Sequence, residues 1–299
     1  MSSFGAPTTT IAVGGARQVV ADYVTLTKPR VQLLLLLTTV TTMYVAGDPS
    51  VTLVALTCLG GFLSAGGAGA VNHYYDRDID AQMARTASRP VPSGRVRPGA
   101  ALAYGFALQA LSFLLLSTQV NLLSAVLALA GFVGYVLVYT MWLKRTTPQN
   151  IVIGGAAGAV PPLVAWAAVT GGVELTAFYL FAIVFYWTPP HFWALSLLMK
   201  DEYARVGVPM MPVVRGETET RQLIVLYTVL LVALTLMPVV FGYFGVIYGA
   251  VALLLGGAFI SLALRLWRDG GRRSALRTYL FSLAYLALLF VTMVVDARL

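Results

Sequence analysis

Charge is scarce in this chain. Of its 299 residues only 11% are charged and 59% are hydrophobic. Soluble domains carry about 25% charged residues, so a soluble domain is excluded, and the mean hydropathy of +0.81 agrees. There is one cysteine, Cys58. It allows no internal disulfide and no thiolate metal cage, and in its apolar segment it reads as a packing residue. Two histidines, His73 and His191, are too few for a bundle carrying several bis-histidine haems. The N-terminus lacks a basic region followed directly by an apolar core, so a cleaved signal peptide is not expected. Residues 1–20 read instead as a disordered cytoplasmic tail, and 21–299 as one membrane domain. The net charge of +8 does not point to nucleic acid in so apolar a chain; membrane orientation is the better account.

What the chain does have is apolar runs of about 20 residues, each long enough to span a bilayer. They fall at 30–46, 51–71, 99–117, 122–143, 151–169, 175–199, 222–241, 246–266 and 276–295. The expected fold is all-α, a polytopic membrane protein of nine transmembrane helices. With the N-terminus in the cytoplasm and nine crossings, 19 of the 20 Lys and Arg fall on the cytoplasmic side, and only Arg298 falls outside. That split follows the positive-inside rule and puts the C-terminus outside. Two long polar loops, 81–98 and 200–220, then share the cytoplasmic face. Polar mass placed twice on one face suggests a shared pocket.

The first polar stretch runs Asn72-His73-Tyr74-Tyr75-Asp76-Arg77-Asp78-Ile79-Asp80, with Arg85, Arg89, Arg95 and Arg97 following. On a helix, Asn72, Asp76 and Asp80 stack along one face. Three oxygen-bearing side chains on one stripe can hold a hard cation such as Mg²⁺. They can equally be ordinary polar residues where a helix end meets water. Arg85 and Arg89 are close enough to face the same pocket and suit a diphosphate; Arg95 and Arg97 read as topology charges. Lys28-Pro29-Arg30, opening the first span, has the same topological reading.

The second polar stretch runs Thr188-Pro189-Pro190-His191-Phe192-Trp193 and on to Lys200-Asp201-Glu202-Tyr203 and Arg205. The Pro-Pro pair is expected to interrupt or kink the sixth span, with His191 just after the break. If the helix resumes, Lys200 lies about 14 Å on. His191 is then near mid-membrane, lining a cavity or packed as a satisfied core residue. Asp201 and Glu202 could complete a metal site, or pair with Lys200 and Arg205 in a solvated loop.

These residues carry a resemblance. Asn72-x-x-x-Asp76-x-x-x-Asp80 with Arg85-Thr86 and Arg89-Pro90 resembles the first aspartate-rich motif of the UbiA superfamily of intramembrane prenyltransferases. Leu26-Thr27-Lys28-Pro29-Arg30-Val31, Trp187-Thr188-Pro189-Pro190-His191-Phe192-Trp193, and Gly207 to Val214 resemble its haem O synthase (protohaem IX farnesyltransferase) branch. The resemblance runs from about residue 20 to the C-terminus and implies nine helices. It implies Mg²⁺-assisted ionisation of farnesyl diphosphate and capture of the allylic cation by a vinyl group of haem b, giving haem O for terminal oxidase assembly. By position, Asn72, Asp76, Asp80 and Asp201, with Glu202, would bind Mg²⁺. Arg85, Arg89 and Lys200 would hold diphosphate, and Lys28, Arg30, Tyr75, Tyr203 and Arg205 would join the substrate site. His191 and Trp193 suit the haem side, His191 as iron ligand or as the group polarising the attacking water.

The second motif departs from the superfamily pattern, since Arg205 stands four residues after Asp201. The expected site holds one Mg²⁺, or a second held weakly by Asp201 and Glu202. Expected partners are farnesyl diphosphate, haem b, the lipid bilayer and a downstream haem-modifying enzyme, with no nucleic acid. The expected location is the plasma membrane if bacterial, with the site opening to the cytoplasmic face. Two other readings remain: prenyl transfer to an aromatic quinone precursor, against which the Pro-Pro-His-Phe-Trp segment argues, and a non-catalytic haem-handling membrane protein, which has no need of an acid and arginine cluster.

Overall fold

In a bilayer every backbone N–H and C=O must be satisfied within the protein, so long apolar runs become helices. The computed structural model describes residues 15–299, and its elements there are helical. In order they are α1 (Ala16–Leu26), α2 (Pro29–Ala46), α3 (Val51–Tyr75), α4 (Arg77–Gln82) and α5 (Pro98–Gln119). Then come α6 (Leu122–Thr146), α7 (Asn150–Thr170), α8 (Leu175–Leu198), α9 (Lys200–Arg205) and α10 (Met211–Val214). The last are α11 (Gly216–Val240), α12 (Val246–Asp269) and α13 (Arg272–Ala297). Of the expected tail, residues 1–14 lie outside the described residues, whereas Ala16–Leu26 is a helix.

Among the described residues eight helices are long and apolar enough to cross a membrane: α2, α3, α5, α6, α7, α11, α12 and α13. The chain is an integral membrane protein. The 24-residue α8 is long enough to cross but is not among the eight, because its Trp-Thr-Pro-Pro-His centre dilutes the apolar content. It also corrects one expectation. The helix runs unbroken through Pro189 and Pro190. Each proline removes one N–H donor, yet α8 is packed against α7, α11 and α13, and such enclosure lets a proline-containing helix persist.

Each long helix packs on its neighbour in the chain, and α13 packs on α2, which closes the bundle into a ring. The α3–α5 contact depends on glycine. A Cβ on Gly67 would stand 2.6 Å from the Gly105 carbonyl oxygen, and one on Gly105 would stand 2.6 Å from Val71 Cγ2. Such close approach is what small residues provide between membrane helices. Polar groups also tie the pair, with Ser112 Oγ donating to the Gly60 carbonyl at 2.7 Å.

The two polar loops meet at one end of the ring. Ile79 and Met83 from the first share a buried apolar cluster with Val208, Met210 and Met211 from the second, together with Trp193 of α8. At that same end Lys28 reaches Asn72. At the opposite end Arg298 pairs with Asp48 in the α2–α3 turn. The start of α2 and the end of α13 therefore lie at opposite ends of the bundle.

Candidate active site

Helix α3 ends at Asp76, whose ψ of 4° turns the chain before α4 begins. Asn72, one turn earlier, is on the same face: its Nδ2 donates to Asp76 Oδ2 at 2.7 Å and to Thr140 Oγ1 at 3.1 Å. Both side chains are almost wholly buried. A carboxylate buried alone would be costly, and two cations offset it. Lys144 Nζ pairs with Asp76 Oδ2, and Arg145 Nη2 lies 3.8 Å from Oδ1. Asp76 Oδ1 itself has no hydrogen-bond partner. Asp80, beyond the turn, is equally buried and receives both bonds from Arg89 Nη1, at 2.9 and 2.7 Å.

Lys28 enters from the start of α2 and donates from Nζ to Asn72 Oδ1 at 2.6 Å. Its backbone is left-handed, with φ 53°, the one non-glycine residue with positive φ among those described. Such a conformation is strained and persists only where the surroundings enforce it. Burial and then the neighbouring Arg89 pull the Lys28 ammonium down to about 7, while Asp76 acts in the opposite direction. An arriving anion would restore its charge. Arg145 makes a two-pronged contact with Asp78 at 2.7 Å for each bond, which holds that carboxyl at about 2.

The basic pair Lys144-Arg145 reads in the sequence as topology charge only. It is in fact central to the site. The ten-residue π-helical stretch Gly134–Leu143 in α6 widens the helix and turns Tyr135, Tyr139, Thr140 and Lys144 toward α3. Lys28 Nζ lies 6.0 Å from the Tyr135 ring. π segments are frequent at functional sites, but no residue pattern in the sequence announces one. A cavity of about 420 Å³ opens beside this cluster, lined in part by Tyr74, Tyr75, Thr140 and Arg145.

The other expected residues are placed as follows. Tyr203 is on α9; burial raises its phenol, and the charges of Arg85, Glu202, Arg89 and Asp76 all reach it. It is the second loop's approach to the first-motif charges. Glu202 keeps Oε2 buried without a partner, whereas Asp201 is exposed. Lys200 donates to Glu217 Oε1 at 3.0 Å. Arg30, Arg85 and Arg205 are exposed. Among the described residues no three acids, histidines or cysteines gather as a ready metal cage; Asp76 and Asp80 come close to each other's cations but not to Asp201.

On α8, His191 is buried and stacked between Trp187, 4.3 Å away, and Tyr279 of α13, 4.8 Å away. Its Nδ1 is 2.7 Å from Ser282 Oγ. Trp193 packs elsewhere, edge-on to Tyr227 of α11. The indole beside His191 is Trp187, and its spacing of four residues was the signal that could have found it.

The UbiA prenyltransferase family matches residues 35–289. The chain is 54% identical over 291 residues to Protoheme IX farnesyltransferase of Roseiflexus sp. (strain RS-1), covering 97% of this chain and 54% of that protein. It therefore spans about half the length of that relative. Protoheme IX farnesyltransferase of Symbiobacterium thermophilum is 53% identical over 283 residues, covering 93% of this chain and 95% of that protein. Among solved structures, one of digeranylgeranylglyceryl phosphate synthase superimposes with a TM-score of 0.77 at 18% identity, covering 94% of this chain and 100% of that chain. A UbiA homolog from Archaeoglobus fulgidus bound to GPP and Mg²⁺ does so with a TM-score of 0.68 at 18% identity, covering 91% of this chain and 99% of that one. At such identity these two structures show the fold alone.

Proposed function

This chain belongs to the UbiA prenyltransferase family, and from that premise we propose that it transfers a farnesyl group from farnesyl diphosphate to a vinyl group of protohaem IX, giving haem O. The observation that carries the reading is the buried cluster at the α3 end. Four cations (Lys28, Arg89, Lys144 and Arg145) crowd three carboxylates (Asp76, Asp78 and Asp80). So much buried positive charge suits a polyanion such as diphosphate.

The donor set also fits a divalent cation. Asn72, Asp76 and Asp80 offer hard oxygens, and Asp76 Oδ1 is buried without a partner. These three would hold Mg²⁺, with Glu202 Oε2 the nearest candidate from the second loop. When bound, the ion supplies Lewis-acid stabilisation of the departing diphosphate. In this reading Lys28, Lys144 and Arg89 move from the carboxylates onto diphosphate oxygens as substrate enters. There they stabilise the charge that develops as the C1–O bond breaks. Their burial excludes water from the leaving group. The allylic cation is captured by the vinyl carbon, and water adds to the resulting cation with loss of a proton. Tyr75, Tyr203, Arg85 and Arg205 rim this end, while His191 belongs to the acceptor side.

We further propose nine crossings, with α8 as the sixth, and a site open to the cytoplasm. The opposed ends of α2 and α13 support an odd number of crossings, and the distribution of Lys and Arg supports the orientation. The test is direct. Membranes containing the protein are incubated with protohaem IX, farnesyl diphosphate and Mg²⁺, and the extracted haem is analysed. Haem O is the expected product; its absence beside an active control refutes the proposal. A prenylated quinone precursor formed in its place would establish the other acceptor.

A further inference from the structure

His191 is held in one tautomer by another helix, and this decides what its free nitrogen can do. Ser282 has one hydroxyl hydrogen, and its Oγ lies 2.6 Å from the Tyr279 carbonyl oxygen, to which it donates. The same oxygen lies 2.7 Å from His191 Nδ1. With its hydrogen committed, Ser282 Oγ accepts, so Nδ1 carries the proton. The ring cannot turn to exchange its nitrogens. Trp187 stacks on one face at 4.3 Å and 20°, and Tyr279 on the other at 4.8 Å and 29°. The Trp187 indole is anchored in turn, since Nε1 donates to the Ser282 carbonyl at 2.7 Å. Phe192 closes one edge at 5.0 Å.

Nε2 is left on the opposite edge with a lone pair. It makes no hydrogen bond among the described residues, and it is not among the sealed, unpartnered atoms, as both ring nitrogens of His73 are. A neutral imidazole with Nδ1–H tied to an oxygen and Nε2 free is the arrangement in which histidine binds a metal. Of the two roles open to His191, water activation needs a nitrogen beside water, whereas this ring is walled by three aromatic side chains.

We propose that Nε2 of His191 is the axial ligand to the iron of the protohaem acceptor, and that Ser282 is the positioning residue that fixes the ring for it. The inference rests on the acceptor proposed above. Iron ligation would pin the porphyrin at one point and leave a peripheral vinyl group as the part presented to the prenyl donor.

The experiment titrates haem b into the full-length protein in lipid nanodiscs and records optical and electron paramagnetic resonance spectra for the wild type, His191→Ala, Ser282→Ala and Ser282→Thr. The wild type is expected to give a histidine-ligated spectrum. His191→Ala should lose it, and added imidazole should restore it by occupying the slot between Trp187 and Tyr279. Ser282→Ala should weaken haem affinity about 10- to 100-fold, the usual cost of losing a ligand's outer partner, and Ser282→Thr should recover it. A spectrum unchanged in His191→Ala, with haem O still formed by the wild type, overturns this inference and leaves the proposed function standing. Equal affinity in Ser282→Ala and the wild type overturns the positioning role. A wild type that neither binds nor farnesylates haem overturns the function and the ligation together.

Discussion

Replacing Lys144 by methionine keeps most of the side-chain volume and removes one charge. In the structure Lys144 is 14% exposed and its partner Asp76 is 1% exposed, so the pair is screened little by water. Removing one partner of a buried pair leaves the other charge uncompensated, at a cost of about 3–5 kcal/mol. Part of that cost is softened here, because Asn72 Nδ2 and Arg145 still face Asp76. The larger effect falls on turnover. If Lys144 transfers to the departing diphosphate, its loss resembles loss of one preorganised donor to a developing anion, about 2.7–4 kcal/mol. At 1.36 kcal/mol per decade this is about 10²- to 10³-fold in rate. The assay is initial pyrophosphate release in proteoliposomes saturated with haem b, with folding checked by size-exclusion chromatography. Asp76→Asn should lose activity to a similar degree. The double variant should be no slower than the slower single one, because the two residues act as a unit. A folded Lys144→Met enzyme within threefold of wild type would refute the reasoning, as would losses that multiply fully in the double variant.

Gly105→Val should lower the thermal midpoint in detergent, since even a Cβ there meets Val71 Cγ2 at 2.6 Å and overpacking costs about 1–3 kcal/mol; an unchanged midpoint would mean that α3 and α5 part freely. Asp78 has its folded pKa held at about 2, below the ordinary 3.8, by Arg145. Its stabilising contribution is complete above the ordinary value and disappears as pH falls through about 2. Because Asp78 is half exposed the effect should be small, and Asp78→Asn should abolish it in an acid unfolding series; equal acid sensitivity of variant and wild type would exclude this pair as its source. A reporter fused after Leu299 should emerge on the side opposite the site, and a cytoplasmic reporter would exclude nine crossings.

Much of the first motif was legible because its physics is local. Asn72 and Asp76 are four apart on one helix, and they do touch. The same logic carried less far for Asp80. The chain turns at Asp76, so Asp80 meets Arg89 rather than extending the stripe. The proline pair was legible as a local defect, but the unbroken α8 depends on what surrounds it. Lys144 was visible only as a charge closing a span. Its contact with Asp76 lies 68 residues away in sequence and needs the π-helical turn of α6 to be made.

The length of an apolar run, the sign asymmetry of its flanks and a four-residue spacing are properties of neighbouring residues. They determine by themselves that this chain is a helical membrane protein with acids and arginines at one end. Which cation faces which carboxylate is a different matter. Lys28 finds Asn72 across 44 residues, and His191 finds Ser282 across 91. Those pairings follow from how the ring of helices closes, which no local pattern encodes. Tertiary packing alone decided them, and with them the orientation of the one nitrogen on His191 that is left free.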